Sequence, residues 1–145
     1  MEQRVSLITL GVDDLARSRL FYEAMGWHGQ SVEQTVFFQA GGLALVLWGR
    51  EKLADDAGAE TSERRAGFHG VALAQNVRSR QEVDEIVGAA ERAGGRVTRP
   101  PGETSYGGYA GYFADPDGHL WEVAHNPGFS LADDGTLTLP DFGAS

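Results

Sequence analysis

One carboxylate in this sequence stands where a charge is costly. Glu122 lies in the apolar stretch Leu120-Trp121-Glu122-Val123-Ala124. Side chains alternate along a strand, so Leu120, Glu122 and Ala124 share one face while Trp121 and Val123 share the other. Trp121 and Val123 suit packing on a helix, which turns Glu122 the opposite way, between two apolar neighbours. A carboxylate there needs a hydrogen-bonding partner, a ligand or a raised pKa. It could meet a cationic or hydrogen-bonding group of a bound small molecule, or act as a general base tuned by an apolar wall. A purely structural pairing, with an arginine or with tyrosine hydroxyls, fits the same position.

Three tyrosines fall close by. Tyr106, Tyr109 and Tyr112 are interleaved with Gly107, Gly108 and Gly111. Glycine permits close backbone approach, and tyrosine offers a flat face with a polar tip. Together with Phe37, Phe38 and Trp48 they are candidates to line an aromatic pocket. The segment is no phosphate loop, because it lacks the P-loop lysine and leads into a strand. Asp115-Pro116-Asp117-Gly118 has the composition of an acid site, but its residues are those of a turn. The four histidines, His28, His69, His119 and His125, show no pair at metal-ligand spacing. Arg17, Arg19, Arg78 and Arg80 flank two helix starts and read as solvated. No Ser-His-Asp order follows from spacing.

These residues must be positioned by two similar halves. The first half opens with an apolar strand, Val5 to Val12. A helix follows from Leu15 to Met25, with Asp14 as its N-cap, Leu20, Phe21, Ala24 and Met25 as its apolar face and Gly26 as its stop. Strands at 34–39 and 43–48 meet at Gly41-Gly42. The second half repeats the order. A strand near Gly70 to Ala74 precedes a helix from about Arg80 to Ala93. Val83, Ile86, Val87 and Ala90 form its apolar stripe, and Ser79 with Glu82 has capping-box spacing. Strands at 96–99, 108–114 and 120–124 follow. The modules are expected at 1–53 and 67–127, joined by a polar linker, 54–66. A tail, 128–145, carries a hairpin around Asp133-Asp134-Gly135.

The chain has 145 residues, enough for one ordinary core without disulfide or metal support. Its formal charge of −9 disfavours nucleic acid and anionic membrane as partners and is compatible with a cationic or neutral guest. It has no cysteine, hence no thiolate ligand and no Cys nucleophile. No apolar run approaches a membrane span, and the opening MEQRVSLITL lacks a signal-peptide profile, so a cytoplasmic protein is expected.

The opening LITLGVDDLARSRLFYEAMGW and the closing GYFADPDGHLWEVAHNP resemble the vicinal oxygen chelate superfamily. Glyoxalase I, extradiol dioxygenases, fosfomycin-inactivating enzymes and bleomycin-resistance binding proteins belong to that group. The resemblance covers about residues 4 to 127. It implies an α+β fold of paired βαβββ modules, curved half-barrel sheets around a cleft, and a homodimer. It also implies four strand positions that supply metal ligands in the metal-using members. Carried over one at a time, these are Leu7, Val46, Gly70 (with His69 one place away) and Glu122. Leucine, valine and glycine offer no side-chain donor. The function expected is therefore metal-independent binding of a small molecule, such as an antibiotic or an aromatic metabolite. The contacting residues would be Leu7, Thr9, Val46, Trp48, Ala72, Tyr106, Tyr109, Tyr112 and Glu122, with no metal and no cofactor. The alternative is a lyase, isomerase or dioxygenase using Glu122 with a metal or as general base.

Overall fold

The structure is a computed structural model that describes residues 1–60 and 67–143. The chain divides into two compact units, Met1–Val71 and Ala72–Ser145. The first contains β1 (Leu7–Val12), α1 (Leu15–Ala24), β2 (Gly29–Val32), β3 (Thr35–Ala40), β4 (Leu43–Gly49) and α2 (Arg50–Asp56). Its sheet runs β1-β4-β3-β2, with β1 parallel to β4 and the other pairs antiparallel.

Local chemistry sets these limits. The Asp14 carboxylate accepts from the Arg17 backbone N–H at 3.0 Å and opens α1. Gly26, at φ +98°, closes it, and the Trp27 N–H returns to the Tyr22 carbonyl at 3.0 Å. The face that α1 buries is Ser18, Phe21 and Tyr22. Leu20, expected inside, is 65% exposed, and Ala24 is exposed too. Phe21 and Tyr22 are the two bulkiest side chains of the helix. Burying both turns Leu20, on the far side of Phe21 from Tyr22, into solvent. Tyr22, Trp27 and Phe38 then meet ring to ring over Val36, Leu45 and Leu47.

In the second unit β5 (Ala72–Asn76) and α3 (Arg80–Arg92) precede β6 (Arg96–Glu103), β7 (Tyr109–Ala114) and β8 (Leu120–His125). The order is β5-β8-β7-β6, again with the first strand parallel to the last. The Ser79 hydroxyl accepts from the Glu82 N–H at 3.1 Å, and the Glu82 carboxylate accepts from the Arg78 N–H at 3.0 Å. Val83, Val87 and Ala90 of α3 are buried, as are Phe113, Trp121 and Val123 of the sheet. The rings of Phe113 and Trp121 stack at 6.3 Å. Each unit is thus a four-stranded sheet with a helix, α1 or α3, on one face, and the first unit adds α2; this is the α+β pattern expected. The tail folds as a hairpin, β9 (Ser130–Leu131) with β10 (Leu137–Thr138). Arg78 is exposed but not merely solvated. Its guanidinium donates to the carbonyls of Ala132 at 2.8 Å and Asp133 at 3.1 Å and ties the hairpin to the start of α3.

Several boundaries differ from expectation: the strand expected at 5–12 begins at Leu7, and that expected at 96–99 runs on to Glu103. The strand expected at 70–74 begins at Ala72, because Gly70 sits at φ +82°, a left-handed conformation that no strand residue adopts. The polar stretch 54–66 begins inside α2, whose sequence REKLADD is made of helix formers with Glu51 in the first turn. Residues 61–66 of that stretch lie outside the described residues. Finally β2 (GQSV) forms an edge strand that its polar composition concealed. Among the described residues no helix is long and apolar enough to cross a membrane.

The β2–β3 turn holds Glu33 at φ +54°, the one described non-glycine residue with positive φ. A side chain is strained there by roughly 1–2 kcal/mol, part of which glycine gives back in chain entropy. Glu33→Gly is expected to raise stability by about 0.5 kcal/mol. A urea midpoint equal to or below that of the wild type would contradict this.

Candidate functional site

The site is built on the face of the second sheet that points away from α3. A Cβ added at Gly111 would meet Val87 of α3 at 3.1 Å and Pro101 at 3.0 Å, which fixes that position toward the helix. Tyr109 and Phe113 share its parity; Ala110, Tyr112 and Ala114 point the other way. Strand pairing extends this into rows. Arg99 lies opposite Tyr112, Tyr112 opposite Glu122, and Glu122 opposite Ala74. The row on one side is Gly102, Ala110, Ala124 and Asn76. That on the other is Arg96, Ala114, Leu120 and Ala72. The face is therefore a floor of mostly small residues crossed by one polar row.

The turn between β7 and β8 holds this register. One oxygen of the buried Asp115 carboxylate accepts from the N–H groups of Asp117 and His119, both at 2.9 Å. The Gly118 N–H closes the turn onto the Asp115 carbonyl, with Gly118 at φ +88°. The aspartates are turn chemistry, as their sequence implies. By fixing Ala114 opposite Leu120 they also fix Tyr112 opposite Glu122.

Glu122 is half-buried, and the Tyr112 hydroxyl donates to its carboxylate. That bond answers the partner question raised by the sequence. Its cost appears on the phenol. The hydrogen bond to Glu122 first, then burial, then the charge of Glu122 and the nearby Tyr106 push Tyr112 up to about 12, with Arg99 opposing. Tyr106 is 57% exposed in the turn before β7.

Tyr109 does not join this group, contrary to expectation. It faces α3, where its hydroxyl donates to Asp84 at 2.7 Å and the Arg80 guanidinium lies 5.3 Å from its ring centre. Tyr109 and Tyr112 are three residues apart on a regular strand, so alternation puts them on opposite faces. Asp84 raises the Tyr109 pKa, chiefly through the hydrogen bond. Arg80 also pairs with Glu103 at 3.1 Å and is not merely solvated.

Ala72 shares the Glu122 face and is exposed. In the first unit, Leu7, Thr9 and Gly11 of β1 share a face with Ala44, Val46 and Trp48 of β4, since those pairs stand in register. Gln30, Phe37, Val46 and Thr9 form one row there. It is the counterpart, within its own sheet, of Arg99, Tyr112, Glu122 and Ala74. Val46 and Glu122 hold the same place in the two sheets. Leu7, paired with Ala44, corresponds to Ala72, paired with Leu120. Both stand seven residues before their helix N-caps, Asp14 and Ser79. The expected match of Leu7 with Gly70 is therefore off by two residues. His69 is exposed and precedes β5, so it is on neither face of the sheet.

This register tests whether a metal suits the chain. The corrected ligand positions are Leu7, Val46, Ala72 and Glu122, and only Glu122 carries a donor. One carboxylate already accepting from a tyrosine cannot hold a divalent cation against water. Among the described residues no group of three His, Cys, Asp or Glu side chains is placed to hold a metal ion.

Comparison with known proteins gives the site its context. The family described as Glyoxalase/Bleomycin resistance protein/Dioxygenase superfamily matches residues 4–123. A solved structure of a glyoxalase-related enzyme from Fulvimarina pelagi is 39% identical, with a TM-score of 0.86, covering 95% of this chain and 99% of that one. A hypothetical protein from S. aureus is 26% identical with a TM-score of 0.75, over 87% of this chain and 95% of that one. A lactoylglutathione lyase from Agrobacterium tumefaciens is 26% identical with a TM-score of 0.64, over 86% and 95% respectively. Among curated proteins none matches.

Proposed function

The chain belongs to the glyoxalase/bleomycin resistance protein/dioxygenase superfamily, and on that premise we propose that it is a metal-independent small-molecule binding protein of the bleomycin-resistance type. The observation that carries the reading is the donor set. Three of the four positions from which the superfamily draws metal ligands hold Leu7, Val46 and Ala72, while the fourth, Glu122, is engaged by Tyr112. What remains is a face of mostly small residues crossed by the row Arg99, Tyr112 and Glu122, the mixture that orients an organic guest. An antibiotic or an aromatic metabolite would lie against the Tyr112 ring and donate to Glu122. Leu7, Thr9, Val46 and Trp48, on the face of the first sheet, belong to the proposal as further ligand contacts. So do a homodimer and a cytoplasmic location, to be checked by sedimentation and fractionation.

A second reading is favoured by the Fulvimarina pelagi relative, which is described as an enzyme. In that reading Glu122 takes a proton from a bound substrate as general base. The two readings separate in one experiment. Bleomycin and a panel of planar aromatic amines are titrated into protein purified without chelator, and each bound compound is recovered and analysed. Recovery unchanged and in stoichiometric amount supports binding; conversion over many turnovers supports the enzyme. Glu122→Gln should remain folded, because a neutral isostere suits the small apolar floor. It should weaken binding by about tenfold or more, the loss expected for one hydrogen bond to a charged group. Unchanged affinity in that variant, or one transition-metal ion per chain by elemental analysis, would overturn the proposal.

A further inference from the structure

The polar row across the second sheet continues beyond Tyr112 to Arg99, on the edge strand β6. Arg96 and Arg99 are three residues apart, and regular alternation would send them to opposite faces. The register shifts between Val97 and Arg99, where one extra residue is accommodated on β6. A bulge of this kind re-aims the following side chain. As a result Arg96 lies opposite Ala114 and Arg99 opposite Tyr112, both on the Glu122 face. Pro100 and Pro101 follow at once, and the register shifts again before Gly102. Prolines are tolerated on an edge strand, and here they leave the bulge no regular ladder to relax into.

Both arginines are exposed, and among the described residues neither donates a hydrogen bond or closes an ion pair. Arg50, Lys52 and Arg92 are likewise without a side-chain partner among the described residues, but they lie on α2 and α3 rather than on the sheet. Arg19, Arg78 and Arg80, by contrast, all have partners. Arg99 is close enough to Tyr112 to oppose the rise in its pKa. The Tyr112 hydrogen is committed to Glu122, so the phenol offers a ligand its ring and oxygen lone pairs but no proton. Glu122 keeps acceptor capacity on its second oxygen. The row is thus polarised, with guanidinium donors at one end, a carboxylate acceptor at the other and an aromatic ring between. Arg99 and Glu122 stand two strand spacings apart, about 10 Å between backbones.

We infer that this row selects an amphoteric small molecule: one bearing an oxyanion group, carboxylate or phosphate, held by Arg99 and Arg96, and a hydrogen-bond donor that reaches Glu122. The inference rests on the small-molecule reading above and narrows it. It departs from what overall charge suggests, because Arg96 and Arg99 set two positive charges on this face although the chain is acidic. Guanidinium forks match the geometry of carboxylate and phosphate oxygens.

The probes that test it are 4-aminobenzoate, 4-aminophenyl phosphate and the neutral amide 4-aminobenzamide. Each is titrated into full-length protein while the NMR signals of Arg99, Tyr112 and Glu122 are followed. At least one of the two anions should bind about tenfold or more tightly than the amide. In Arg99→Gln that preference should collapse, while amide binding stays as in the wild type. Arg96→Gln should give a smaller loss of the same kind. Both arginines are exposed, so the variants should fold, and their spectra report whether they do. Equal binding of amide and anions overturns the inference and leaves the small-molecule reading standing. An anion preference that survives the double Arg96→Gln, Arg99→Gln variant overturns it as well. No shift at these residues with any probe at millimolar concentration overturns it and counts against the Glu122 face as a binding surface.

Discussion

Replacing Asp115 with alanine is expected to lower stability by about 3 kcal/mol, because two backbone N–H groups lose a charged acceptor in a place closed to water. Asp115 is 4% exposed, and its carboxylate oxygen serves Asp117 and His119 at once. Asp115→Asn keeps a carbonyl oxygen at the same place and should cost about half as much. The consequence reaches the site, since this turn sets the step from β7 to β8. A one-residue slip would carry Glu122 to the face that packs on α3 and bring Trp121 to the face it leaves. The alanine variant should therefore show a lower urea midpoint together with loss of the Tyr112–Glu122 hydrogen bond. An unfolding free energy within about 0.5 kcal/mol of the wild type, the usual range for a surface substitution, would show that the turn holds without its aspartate.

What could be read from the sequence, and what could not, divides along physical lines. The caps and the stripe of α3 were legible because they act within a few residues. Asp14, Ser79 with Glu82, and the Val83–Ala90 stripe all do in the structure what their spacing implies. That Glu122 faces away from α3 followed from two-residue alternation. The same rule separates Tyr109 from Tyr112 and places Tyr109 against α3. The correspondence of Leu7 with Ala72 is legible in their equal distance from the N-caps, and Gly70 does not share it because it stands outside the strand. Leu20 yields its place on the buried face of α1 to Tyr22, which is 3% exposed.

Arg99 is a different case. Its place on the Glu122 face depends on a bulge at β6, and the pairing of one strand with its neighbour leaves no mark in the local alternation of the bulged strand itself. The one available signal was Pro100-Pro101, which marks an edge strand with an irregular ladder. Likewise β2 carries too few apolar residues to show a period, and it forms because β3 offers it an edge. Contacts across strands, rather than those along them, are what the sequence left hidden.

The Tyr112 phenol should titrate at about 12, against an ordinary 10.0, and Glu122→Gln should bring it back toward the lower value. The largest cause is the hydrogen bond that the protonated phenol gives to Glu122, followed by desolvation and the Glu122 charge. Ionising Tyr112 would remove the proton that holds the pair together and set two negative groups side by side. Glutamine keeps an oxygen to accept the bond but removes the charge, so the phenol should fall partway rather than completely. Because the folded-state pKa lies above the unfolded one, the pair's contribution to stability is complete below pH 10. It is then lost as pH climbs toward 12, the unfolded chain giving up its proton first. Tyr109 is also raised, through Asp84, so the titration is best followed in a Tyr109→Phe background with carbon-labelled tyrosine. The high-pH step should vanish in Tyr112→Phe and shift downward in Glu122→Gln. Arg99→Gln should move it further up, since the guanidinium opposes the rise. A Tyr112 resonance that titrates near 10 in the wild type, or one indifferent to Glu122→Gln, would mean that the pair does not exist in solution. The carboxylate would then stand free to meet a ligand directly, and the polarised row would lose its centre.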